Sequence, residues 1–510
     1  MTSRADALTS WHADWSGLRV AVLGLSVTGF AVADTLTELG ADVLVISERA
    51  SDEYQRLIPV IGARLVLGPL DEAPQELVEF APDVIVASPG FPPSHPIIRW
   101  TQDAGIPLWG DVELAWRVRD KVVRADGTPA DWVLITGTNG KTTTTQLTAS
   151  LLVEGGVRAA PCGNIGIPVL DAIRDPAGFD VLVVELSSHQ LWYIGQSSPA
   201  GQIVPHSAVC LNLADDHLVW HGGADAYREA KAVVYRHTRV ACVYNKADEA
   251  TRAMVEDADV TEGARAIGFD LGVPGPSDLG VVDGILADRA FLDDRRNSAL
   301  ELTTLADLER VGLSAPHIVQ NILAASALAR ALGTAPEQIR RALEDFRLDE
   351  HRIQVVGRHQ GITWVDDSKA TNPHAAASSL RAYPGAVWIV GGDLKGVDIA
   401  ELVADAGRTA SAALVIGAER TEVVAAFERH ATDVPVYEVS TGETDDVMTR
   451  VVQLAAGIAT DGSTVLLAPA AASFDQFESY ADRGRRFADA VRRWIDGGSA
   501  DDTGSPPAAH

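Results

Sequence analysis

WVLITGTNGKTT occupies residues 132–143 of a chain of 510 residues. Its apolar half, 132–136, predicts a buried strand, and GTNGKT at 137–142 predicts the turn from that strand into a helix. Glycines allow backbone N–H groups to approach a phosphate closely, and the N-terminus of a helix adds free donors and a partial positive charge. The stretch therefore predicts a phosphate-binding loop in an α/β fold.

Two side chains of this loop suit a nucleotide. Lys141 can reach the terminal phosphates of a nucleoside triphosphate, and Thr142 can offer its hydroxyl to Mg²⁺. The general pattern of such loops also has a glycine five residues before Gly140, where this chain has Ile135. The pattern is thus a shortened one, and an ordinary β–α turn stays open as the alternative.

Hydrophobic runs on both sides of the loop extend the pattern. Short apolar segments alternate with helical stretches, which predicts α/β domains with parallel sheets. One helix is expected to begin at Pro316 with Ser314 as its cap, and an amphipathic helix is expected over 481–495. The predicted strands are residues 19–23, 41–46, 83–87, 132–136, 180–184, 208–213, 239–244, 362–365, 387–390, 414–416, 436–439 and 464–468.

The length fits three domains at the usual size of roughly 150 residues each. We predict an N-terminal Rossmann-like domain at 1–125 and a central phosphate-loop (P-loop) ATPase-like domain with a parallel sheet at 126–350. A C-terminal Rossmann-like α/β domain is expected at 351–497. Residues 121–131, KVVRADGTPAD, predict the first linker, and the polar, Gly- and Pro-containing residues 498–510 predict a disordered tail.

Charge and composition exclude several classes of protein. Hydrophobic residues make up 46% and charged residues 22%, as in ordinary globular proteins. The chain has 42 Lys and Arg against 70 Asp and Glu, a net charge of −28, so it does not bind nucleic acid or anionic membranes by bulk charge. No apolar run is long enough for a membrane span or a signal peptide, and the three cysteines lack metal or disulfide spacing. We therefore expect a cytoplasmic protein with reduced, buried thiols at Cys162, Cys210 and Cys242.

Three further residues have the chemistry of a metal or catalytic site. Ligand-binding residues collect beyond the carboxyl ends of parallel strands, and Glu185 and His217 follow two of the predicted strands. Glu185 suits Mg²⁺ but could also cap the next helix. His217 could orient a substrate, bind a metal or be structural. Lys231 lies on a predicted helix and by itself reads as a solvated surface charge.

Lysine is rare in this chain, because six of the 42 basic residues are lysines and the rest are arginines. A lysine can therefore mark a position where arginine cannot replace it, such as a compact charge or an amine that can lose its proton. A coding bias is the alternative. The lysines are Lys121, Lys141, Lys231, Lys246, Lys369 and Lys395.

Several segments taken together resemble the Mur ligases, the ATP-dependent amino acid ligases of peptidoglycan precursor synthesis. They follow the order that this family shows and cover about residues 15–495. They are GTNGKTT (137–143), CGNIGIP (162–168), ELSS (185–188), LNLADDHL (211–218), YREAK (227–231), HIVQNILAA (317–325), EHR (350–352) and DDSKATNP (366–373). Within the family, the branch that adds D-glutamate is the most similar, on the segments GLSVTG (24–29), SPGF (88–91), CGNIG (162–166) and APAAASFDQF (468–477).

The resemblance implies a site for ATP and two Mg²⁺ ions. ATP would be bound by Gly137, Thr138, Asn139, Gly140, Lys141, Thr142, Thr143, Asn321, Arg352 and Asp367. The metal ligands would be Thr142, Glu185, His217 and Lys231, and the catalytic residues Lys141, Glu185, His217 and Lys231. Lys231 matches the lysine that the family carbamylates. A carbamate is an anion with two oxygens, which arginine cannot form.

The resemblance also implies the substrates, UDP-N-acetylmuramoyl-L-alanine (UDP-MurNAc-L-Ala) and D-glutamate, joined through an acyl phosphate. We expect the enzyme to be a monomer. The UDP substrate would be bound by Ser26 and Thr28 near the pyrophosphate, Arg49 near uracil or ribose, and Asn164 in the central domain. D-glutamate would be bound by Lys369, Thr371, Lys395, Ser473 and Tyr480.

Some positions depart from the family pattern, and some alternatives stay open. His189 replaces a Phe, Leu394 replaces a Gly, and Tyr480 stands where some members have Phe. A ligase with the same core but another amino acid substrate is one alternative, and a nucleotide-dependent switch without ligase chemistry is another. An NAD oxidoreductase is a third, opposed by Ser26 at the position of the fingerprint's middle glycine.

Overall fold

The computed structural model describes residues 4–439 and 447–497 of the chain. Contacts between residues divide it into two compact units, with the division after Phe346. The predicted N-terminal domain falls within the first unit, as does the predicted central domain except for its last four residues, 347–350. The predicted C-terminal domain falls within the second unit. The predicted disordered tail at 498–510 lies outside the described residues.

A parallel sheet forms the N-terminal part of the first unit, because its apolar runs can be buried on both faces. Its strands are β1 (Arg19–Leu23), β2 (Asp42–Ser47), β3 (Arg64–Leu67), β4 (Val84–Ala87) and β5 (Leu108–Gly110). The helices are α1 (Arg4–Ala7), α2 (Val27–Glu38), α3 (Asp52–Val60), α4 (Gln75–Phe80), α5 (Pro96–Asp103) and α6 (Asp111–Arg117). The strand order is β3-β2-β1-β4-β5, so the crossover direction changes at β1, beside the loop of GLSVTG.

An N-terminal arm, residues 4–16, packs on this domain. Ala5 and Leu8 are buried, and their carbonyl oxygens accept hydrogen bonds from Arg117 at 3.3 and 3.1 Å. The Arg117 guanidinium also forms a fully buried ion pair with Glu113 at 2.8 Å. The arm thus supplies part of the hydrogen bonding that a buried guanidinium requires.

The central sheet carries the predicted phosphate loop. Its strands are β6 (Asp131–Thr136), β7 (Ala159–Gly163), β8 (Val181–Glu185), β9 (Ser207–Cys210), β10 (Ala241–Asn245), β11 (Arg265–Phe269), β12 (Asp278–Val282), β13 (Ile285–Asp288) and β14 (Leu300–Thr304). The order is β14-β13-β12-β11-β10-β9-β6-β8-β7. The strands from β7 to β12 pair in parallel, and β13 is antiparallel to both of its neighbours. The parallel sheet predicted here is therefore present, with an antiparallel extension.

Helices cover this sheet, and α7 and α14 pack against each other. They are α7 (Lys141–Glu154), α8 (Val169–Arg174), α9 (Ser188–Gly195), α10 (Leu218–His221), α11 (Ala224–Ala232), α12 (Glu249–Glu256), α13 (Leu305–Arg310), α14 (Pro316–Ala331) and α15 (Pro336–Asp345). The helix predicted at Pro316 begins there, but the predicted cap is wrong. Ala315, not Ser314, is the N-cap, without a side-chain bond. The strand predicted over 208–213 also ends early, because Asn212 leaves the sheet to accept a hydrogen bond from Thr138 N at 3.0 Å.

The second unit is built on a sheet of order β15-β16-β20-β17-β18-β19. Its strands are β15 (Gln354–His359), β16 (Ile362–Asp366), β17 (Val387–Gly391), β18 (Ala412–Ile416), β19 (Val436–Glu438) and β20 (Thr464–Leu467). Its helices are α16 (Pro373–Ala382), α17 (Ala400–Asp405), α18 (Arg420–His430), α19 (Val447–Ile458) and α20 (Tyr480–Asp496). β15 is antiparallel to β16, and the other pairs are parallel. Apolar side chains such as Trp364 and Trp388 are buried on the two faces of this sheet.

Two predictions concern the environment of the protein. In the described parts of the chain, no helix combines the length and apolar character that crossing a bilayer needs. Cys162, Cys210 and Cys242 are buried and free, as expected for reduced thiols. Burial raises the pKa of Cys162 to about 12.

Candidate functional site

The predicted phosphate loop connects β6 to α7, which begins at Lys141. Gly140 takes a left-handed backbone conformation with φ +83°, which glycine adopts without steric cost. A Cβ at this position would lie 2.4 Å from Oδ1 of Asn321, on α14. Glycine is therefore needed both for the turn and for the close approach of Asn321. The backbone N–H groups at the start of α7 form a cradle for an anion.

Two lysine ammonium groups converge on this loop. Nζ of Lys141 donates to the carbonyl oxygens of Gly137 and Thr138, both at 2.9 Å. Nζ of Lys231, on α11, donates to the same Gly137 oxygen at 2.9 Å and to Oγ1 of Thr136 at 3.4 Å. Two lysine amines thus lie where the family resemblance expects the terminal phosphates of ATP.

Lys231 is buried, with 1% of its surface exposed. Burial, helped by the charge of Lys141, lowers the pKa of this amine from 10.5 to about 7. The interpretation of Lys231 as a solvated surface charge is therefore wrong. An amine with a pKa near neutrality is uncharged in a large fraction of molecules at pH 7, and the uncharged amine is the nucleophilic form.

Glu185 is the last residue of β8 and is also 1% exposed. Its Oε1 accepts a hydrogen bond from Nδ2 of Asn164 at 3.0 Å, whereas its Oε2 has no hydrogen-bond partner in the described structure. The N-cap of α9 is Ser187, whose Oγ accepts from the backbone N–H of Gln190 at 3.1 Å. The alternative role of Glu185 as a helix cap is therefore wrong. A buried carboxylate oxygen without a donor fits a cation such as Mg²⁺.

Sequence reasoning missed two residues that hold the loop in place. Asn212 accepts from the backbone N–H of Asn139 at 2.8 Å and donates to its carbonyl oxygen at 3.1 Å. The hydroxyl of Tyr227 lies 2.9 Å from Oγ1 of Thr138. A signal for both exists in the sequence, since Asn212 follows a strand and Tyr227 precedes Lys231 by one helical turn.

His217 is more exposed than the other predicted metal ligands. It is the N-cap of α10 with φ +53°, its side chain is 47% exposed, and its Nε2 lies 3.5 Å from Oδ2 of Asp216. Within residues 4–439 and 447–497, no three His, Cys, Asp or Glu side chains are arranged to hold a metal ion. A metal at His217 would therefore depend on a further ligand, such as a carbamate on Lys231. Thr142, the fourth predicted ligand, is the second residue of α7 and is half-buried.

His189, which replaces a Phe of the family pattern, keeps an aromatic role. Its ring stacks on Trp220 with a centroid separation of 4.2 Å and an interplanar angle of 21°, and it meets the His217 ring edge to face at 4.6 Å. Burial, with a smaller effect of His217, lowers the pKa of His189 to about 3. The imidazole is therefore neutral at pH 7 and can pack as a phenyl ring does.

Three of the four predicted contacts for the UDP substrate, all except Asn164, lie beyond the carboxyl ends of β1 and β2. Ser26 is the exposed N-cap of α2, with Thr28 in its first turn, and Arg49 is exposed after β2. Ser47 connects the two loops, because its Oγ accepts from Leu25 N at 3.2 Å and donates to the carbonyl oxygen of Arg49 at 2.7 Å. This is the sheet edge where α/β proteins bind ligands. The linking role of Ser47 was not predicted.

In the second unit, Asp367 lies directly after β16 and is buried. Burial raises the pKa of its carboxyl to about 6, against the opposing effects of the Ser379 hydrogen bond and the Arg352 charge. Oδ1 of Asp367 accepts from the backbone N–H of Ile353 at 3.3 Å. The structure therefore brings Arg352 and Asp367, both predicted ATP contacts, to one place in this unit.

The five predicted D-glutamate residues fall into two groups, one of three residues and one of two. Nζ of Lys369 lies 3.8 Å from the centroid of the Tyr480 ring, a cation–π contact. The backbone N–H of Thr371 donates to the carbonyl oxygen of Lys369 at 2.8 Å. Lys395 has φ +52° and lies near the exposed ring of Phe474, next to the buried Ser473.

Buried contacts join the segments that carry these residues. Asp393 and Ala472 exchange two backbone hydrogen bonds at 2.9 and 3.0 Å. The guanidinium of Arg483 is fully buried and donates to the carbonyl oxygens of Ser368 at 2.9 Å and Ala471 at 3.1 Å. Arg483 was not predicted, because nothing in its sequence context indicates burial. Leu394, the departure from the family's glycine, is buried in the apolar core.

The residues of the first unit fit ATP and Mg²⁺. A Cβ would fill the cradle at Gly140, two ammonium groups face the loop, and the unpartnered oxygen of Glu185 can bind a cation. Fold and site together define an α/β nucleotide-binding enzyme with a phosphate loop and two further Rossmann-like domains.

Comparisons with known proteins agree with this class. Residues 18–110 match the MurD-like N-terminal domain of Mur ligases, 135–329 the Mur ligase middle domain, and 351–471 the glutamate ligase domain of Mur ligases. The chain therefore belongs to the Mur ligase family. The expected fold class, its three domains and its class as an amide-forming ligase are thereby confirmed.

Two relatives and one solved structure illustrate the similarity. A protein from Leifsonia xyli subsp. xyli named UDP-N-acetylmuramoylalanine--D-glutamate ligase is 61% identical over 98% of this chain and 97% of its own length. A protein of the same name from Streptomyces coelicolor is 47% identical over 94% of this chain and 98% of its own. The crystal structure of MurF ligase from Thermotoga maritima in complex with ADP has a TM-score of 0.54 at 18% identity, over 95% of this chain and 96% of that one, and shows the shared fold.

Proposed function

We propose that this chain joins D-glutamate to UDP-MurNAc-L-Ala, with conversion of ATP to ADP and phosphate, in cytoplasmic peptidoglycan precursor synthesis. Relatives with the name of this ligase cover nearly the whole chain, which supports the choice of substrates. The observation that carries the proposal is the convergence of Lys141 and Lys231 on one carbonyl oxygen of the phosphate loop. We propose that the enzyme acts as a monomer.

The first step activates a carboxylate. An oxygen of the L-alanine carboxylate attacks the γ-phosphorus of ATP, and the bond from that phosphorus to the bridging oxygen breaks. ADP leaves, and the substrate now carries an acyl phosphate. Positioning and charge neutralisation provide nearly all of the catalysis in such a transfer. The N–H groups at the start of α7 and the ammonium of Lys141 can bind the phosphates.

The second step forms the amide. The neutral amine of D-glutamate attacks the acyl carbon, loses a proton, and the tetrahedral intermediate expels inorganic phosphate. No side chain of the enzyme is needed as a covalent nucleophile. Lys369, Thr371, Lys395, Ser473 and Tyr480 are proposed to bind the amino acid. Ser26, Thr28, Arg49 and Asn164 are proposed to bind the UDP substrate.

Mg²⁺, when bound, neutralises negative charge on the phosphates. Thr142 and Glu185 would hold one ion, and His217 with a carbamylated Lys231 would hold a second. The carbamate is proposed because an ammonium repels a cation, whereas a carbamate is an anion. The buried amine of Lys231 favours its neutral form, from which a carbamate can form. Arg352, Asp367 and Asn321 are proposed as further ATP contacts.

Phosphate release from ATP tests the proposal, with UDP-MurNAc-L-Ala and D-glutamate each omitted in turn. We expect full release only with both substrates present. Equal release without D-glutamate would instead indicate a nucleotide hydrolase or switch. Equal rates with L-lysine or diaminopimelate in place of D-glutamate would indicate another ligase of the family.

A matched pair of lysine variants controls this assay. Lys141→Ala should lower the rate by about a hundredfold or more, because a preorganised charge on the phosphates is removed. Lys246→Ala should leave the rate unchanged, because its ammonium pairs with Asp278 at 2.6 Å on another part of the sheet. Similar rates in the two variants would argue against the phosphate loop as the ATP site.

A further inference from the structure

Helix α9 connects the carboxyl end of β8, in the central domain, to the N-terminal domain. It begins three residues after Glu185, and its capping residue Ser187 donates its backbone N–H to Oε1 of Gln190 at 3.1 Å. Nε2 of the same Gln190 donates to Oδ2 of Asp111 at 3.0 Å, at the first residue of α6. The buried side-chain amide of Gln190 thus connects the start of α9 to the start of α6.

Tyr193 makes a second connection from the same helix. Its side chain is 1% exposed, and its hydroxyl donates to the carbonyl oxygen of Phe91 at 2.7 Å. A Cβ on Gly110 would lie 2.8 Å from Cβ of Tyr193, so the helix and the end of β5 are in close contact. Nε1 of Trp220 donates to the carbonyl oxygen of Gly90 in the same loop, at 3.4 Å.

The loop that Tyr193 holds lies against the loop after β1. A Cβ on Gly24 would lie 3.1 Å from both the Phe91 ring and Cβ of Ser88, and Oγ of Ser88 donates to the carbonyl oxygen of Gly24 at 3.3 Å. The loop of GLSVTG carries Ser26, a proposed contact of the UDP substrate. A continuous set of contacts therefore runs from α9 through residues 88–91 to this loop.

We propose that Tyr193 is a positioning residue that sets the affinity for the UDP substrate by fixing the loop 88–91 relative to the helix that follows Glu185. This inference rests on the proposed function, and it adds a residue that does not touch the reacting atoms. Without the hydroxyl, the half-buried carbonyl of Phe91 loses its donor, and the loop can shift toward other partners. ATP binding at the start of α7 involves none of these contacts.

Tyr193→Phe tests this role, because it removes one hydrogen bond and keeps the buried ring. In the full chain with all three substrates, we expect KM for UDP-MurNAc-L-Ala to rise by about five- to tenfold, which is the effect of one buried hydrogen bond. KM for ATP and KM for D-glutamate, and kcat, should stay within about twofold. A merely structural role would instead change all three KM values together or lower the melting temperature without a selective effect.

Tyr235→Phe is the matched control. Tyr235 is another fully buried tyrosine. Inside the central sheet, its hydroxyl donates to the carbonyl oxygen of Val243 at 2.7 Å and accepts from the backbone N–H of Cys210 at 2.9 Å. It should show no selective change for the UDP substrate. If Tyr193→Phe does not fold, Gly110→Ala serves instead, since its methyl group would push against Tyr193 and should raise the same KM.

The outcomes separate this inference from the proposed function. An active wild-type enzyme with an unchanged KM for UDP-MurNAc-L-Ala in Tyr193→Phe overturns the positioning role and leaves the ligase function in place. A selective rise in that KM supports the role. A wild-type chain that releases no phosphate with all three substrates overturns the proposed function, and the positioning role with it.

Discussion

Lys231 shows how one residue can acquire its chemistry from burial. Its ammonium lies among Thr136, Gly137 and the ring of Tyr227, and almost none of its surface reaches solvent. A buried amine favours its neutral form, and the lowered pKa of about 7 agrees with this. Neutral amines can take up carbon dioxide, so the position suits conversion of a cation into an anionic ligand.

We expect Lys231→Ala to reduce ligation by about a hundredfold or more, because the proposed metal ligand and the hydrogen bonds of this residue to the phosphate loop are both removed. A small carboxylate such as formate or acetate should restore part of the rate by occupying the vacated volume. The measurement is phosphate release with and without the added carboxylate. Unchanged activity in Lys231→Ala without any additive would contradict both roles.

The burial of individual site residues could not be predicted from the sequence. Glu185 and His217 were predicted by type and by their places along the chain, which are local properties, whereas the role of Lys231 was implied by the family resemblance. The burial of Lys231 was not predictable, because Gly137 contacts it from 94 residues earlier. The same holds for Arg483, whose acceptor Ser368 lies 115 residues away. Burial depends on long-range packing, which periodicity along one segment does not reveal.

At the scale of elements, the turn between β6 and α7 combines a special backbone conformation with close packing. Gly140 and Gly156, at the two ends of α7, share the same φ of +83°. Only Gly140 has a neighbour at the Cβ position, because Asn321 of α14 lies against it, whereas Gly156 faces open space. Substitutions at the two glycines can therefore distinguish the cost of the left-handed backbone conformation from the effect of filling the anion cradle.

Gly140→Ala and Gly156→Ala should each lower the free energy of unfolding by about 1–2 kcal/mol, the cost of a left-handed alanine. Only Gly140→Ala should also weaken ATP binding, by about tenfold or more, since its methyl group displaces Asn321 and distorts the anion cradle. Denaturant unfolding and ATP titration calorimetry measure the two effects. Equal ATP affinities in the two variants would show that the loop does not bind the phosphates.

The contact between α6 and α9 depends on a buried acid. The Asp111 carboxylate accepts from Gln190, and burial raises its pKa from 3.8 to about 6. The folded protein therefore holds this proton more tightly than the unfolded chain does. Between about pH 4 and pH 6 the folded state binds more protons, so this group makes the protein less stable as the pH rises through that window. Above about pH 6 the Asp111 carboxyl is ionised in the folded state too, and the full free-energy cost of burying its charge lowers the stability.

Asp111→Asn removes this titration while keeping an oxygen that can accept from Gln190. We expect the free energy of unfolding of the variant, minus that of the wild type, to rise by about 1–3 kcal/mol from pH 4 to pH 7. Urea unfolding at several pH values measures the difference. A difference that does not change with pH would contradict the raised pKa.

Elements differed in how well the sequence predicted them. Apolar runs such as 19–23 and 387–390 became strands with nearly the predicted bounds, because alternation of strands and helices is a local signal. The strand predicted over 208–213 ended at Cys210, since Asn212 bonds to the phosphate loop instead of the sheet. A strand can therefore end where a polar residue bonds to the site instead of to a neighbouring strand. The pattern of apolar residues alone does not predict that position.

For the whole molecule, the N-terminal arm joins segments that are distant in sequence. Arg117 is buried with Glu113 and donates to carbonyl oxygens of the arm, and Ser198 after α9 donates to Asp6 at 2.9 Å. A buried ion pair is tolerated only when its remaining donors have acceptors. The arm provides two of them, and it also buries Leu8.

Deletion of residues 1–9 should lower the free energy of unfolding by about 2–5 kcal/mol, because the Arg117 guanidinium loses acceptors and the apolar surface under the arm becomes exposed. Arg4→Ala, which removes an exposed side chain that bonds to Ser16, should change it by about 0.5 kcal/mol or less. Chemical denaturation measures both. A truncated chain as stable as the full one would show that the arm contributes little to the fold.

The three buried thiols have a practical consequence for labelling. Their raised pKa values leave almost no thiolate at neutral pH, and Cys162, Cys210 and Cys242 are shielded from bulky reagents. Maleimide dyes should therefore not react with the cysteines of the native chain. A single cysteine introduced on the surface of each unit would carry a fluorophore without mutation of the native ones, and energy transfer between the dyes would measure their separation with and without substrates.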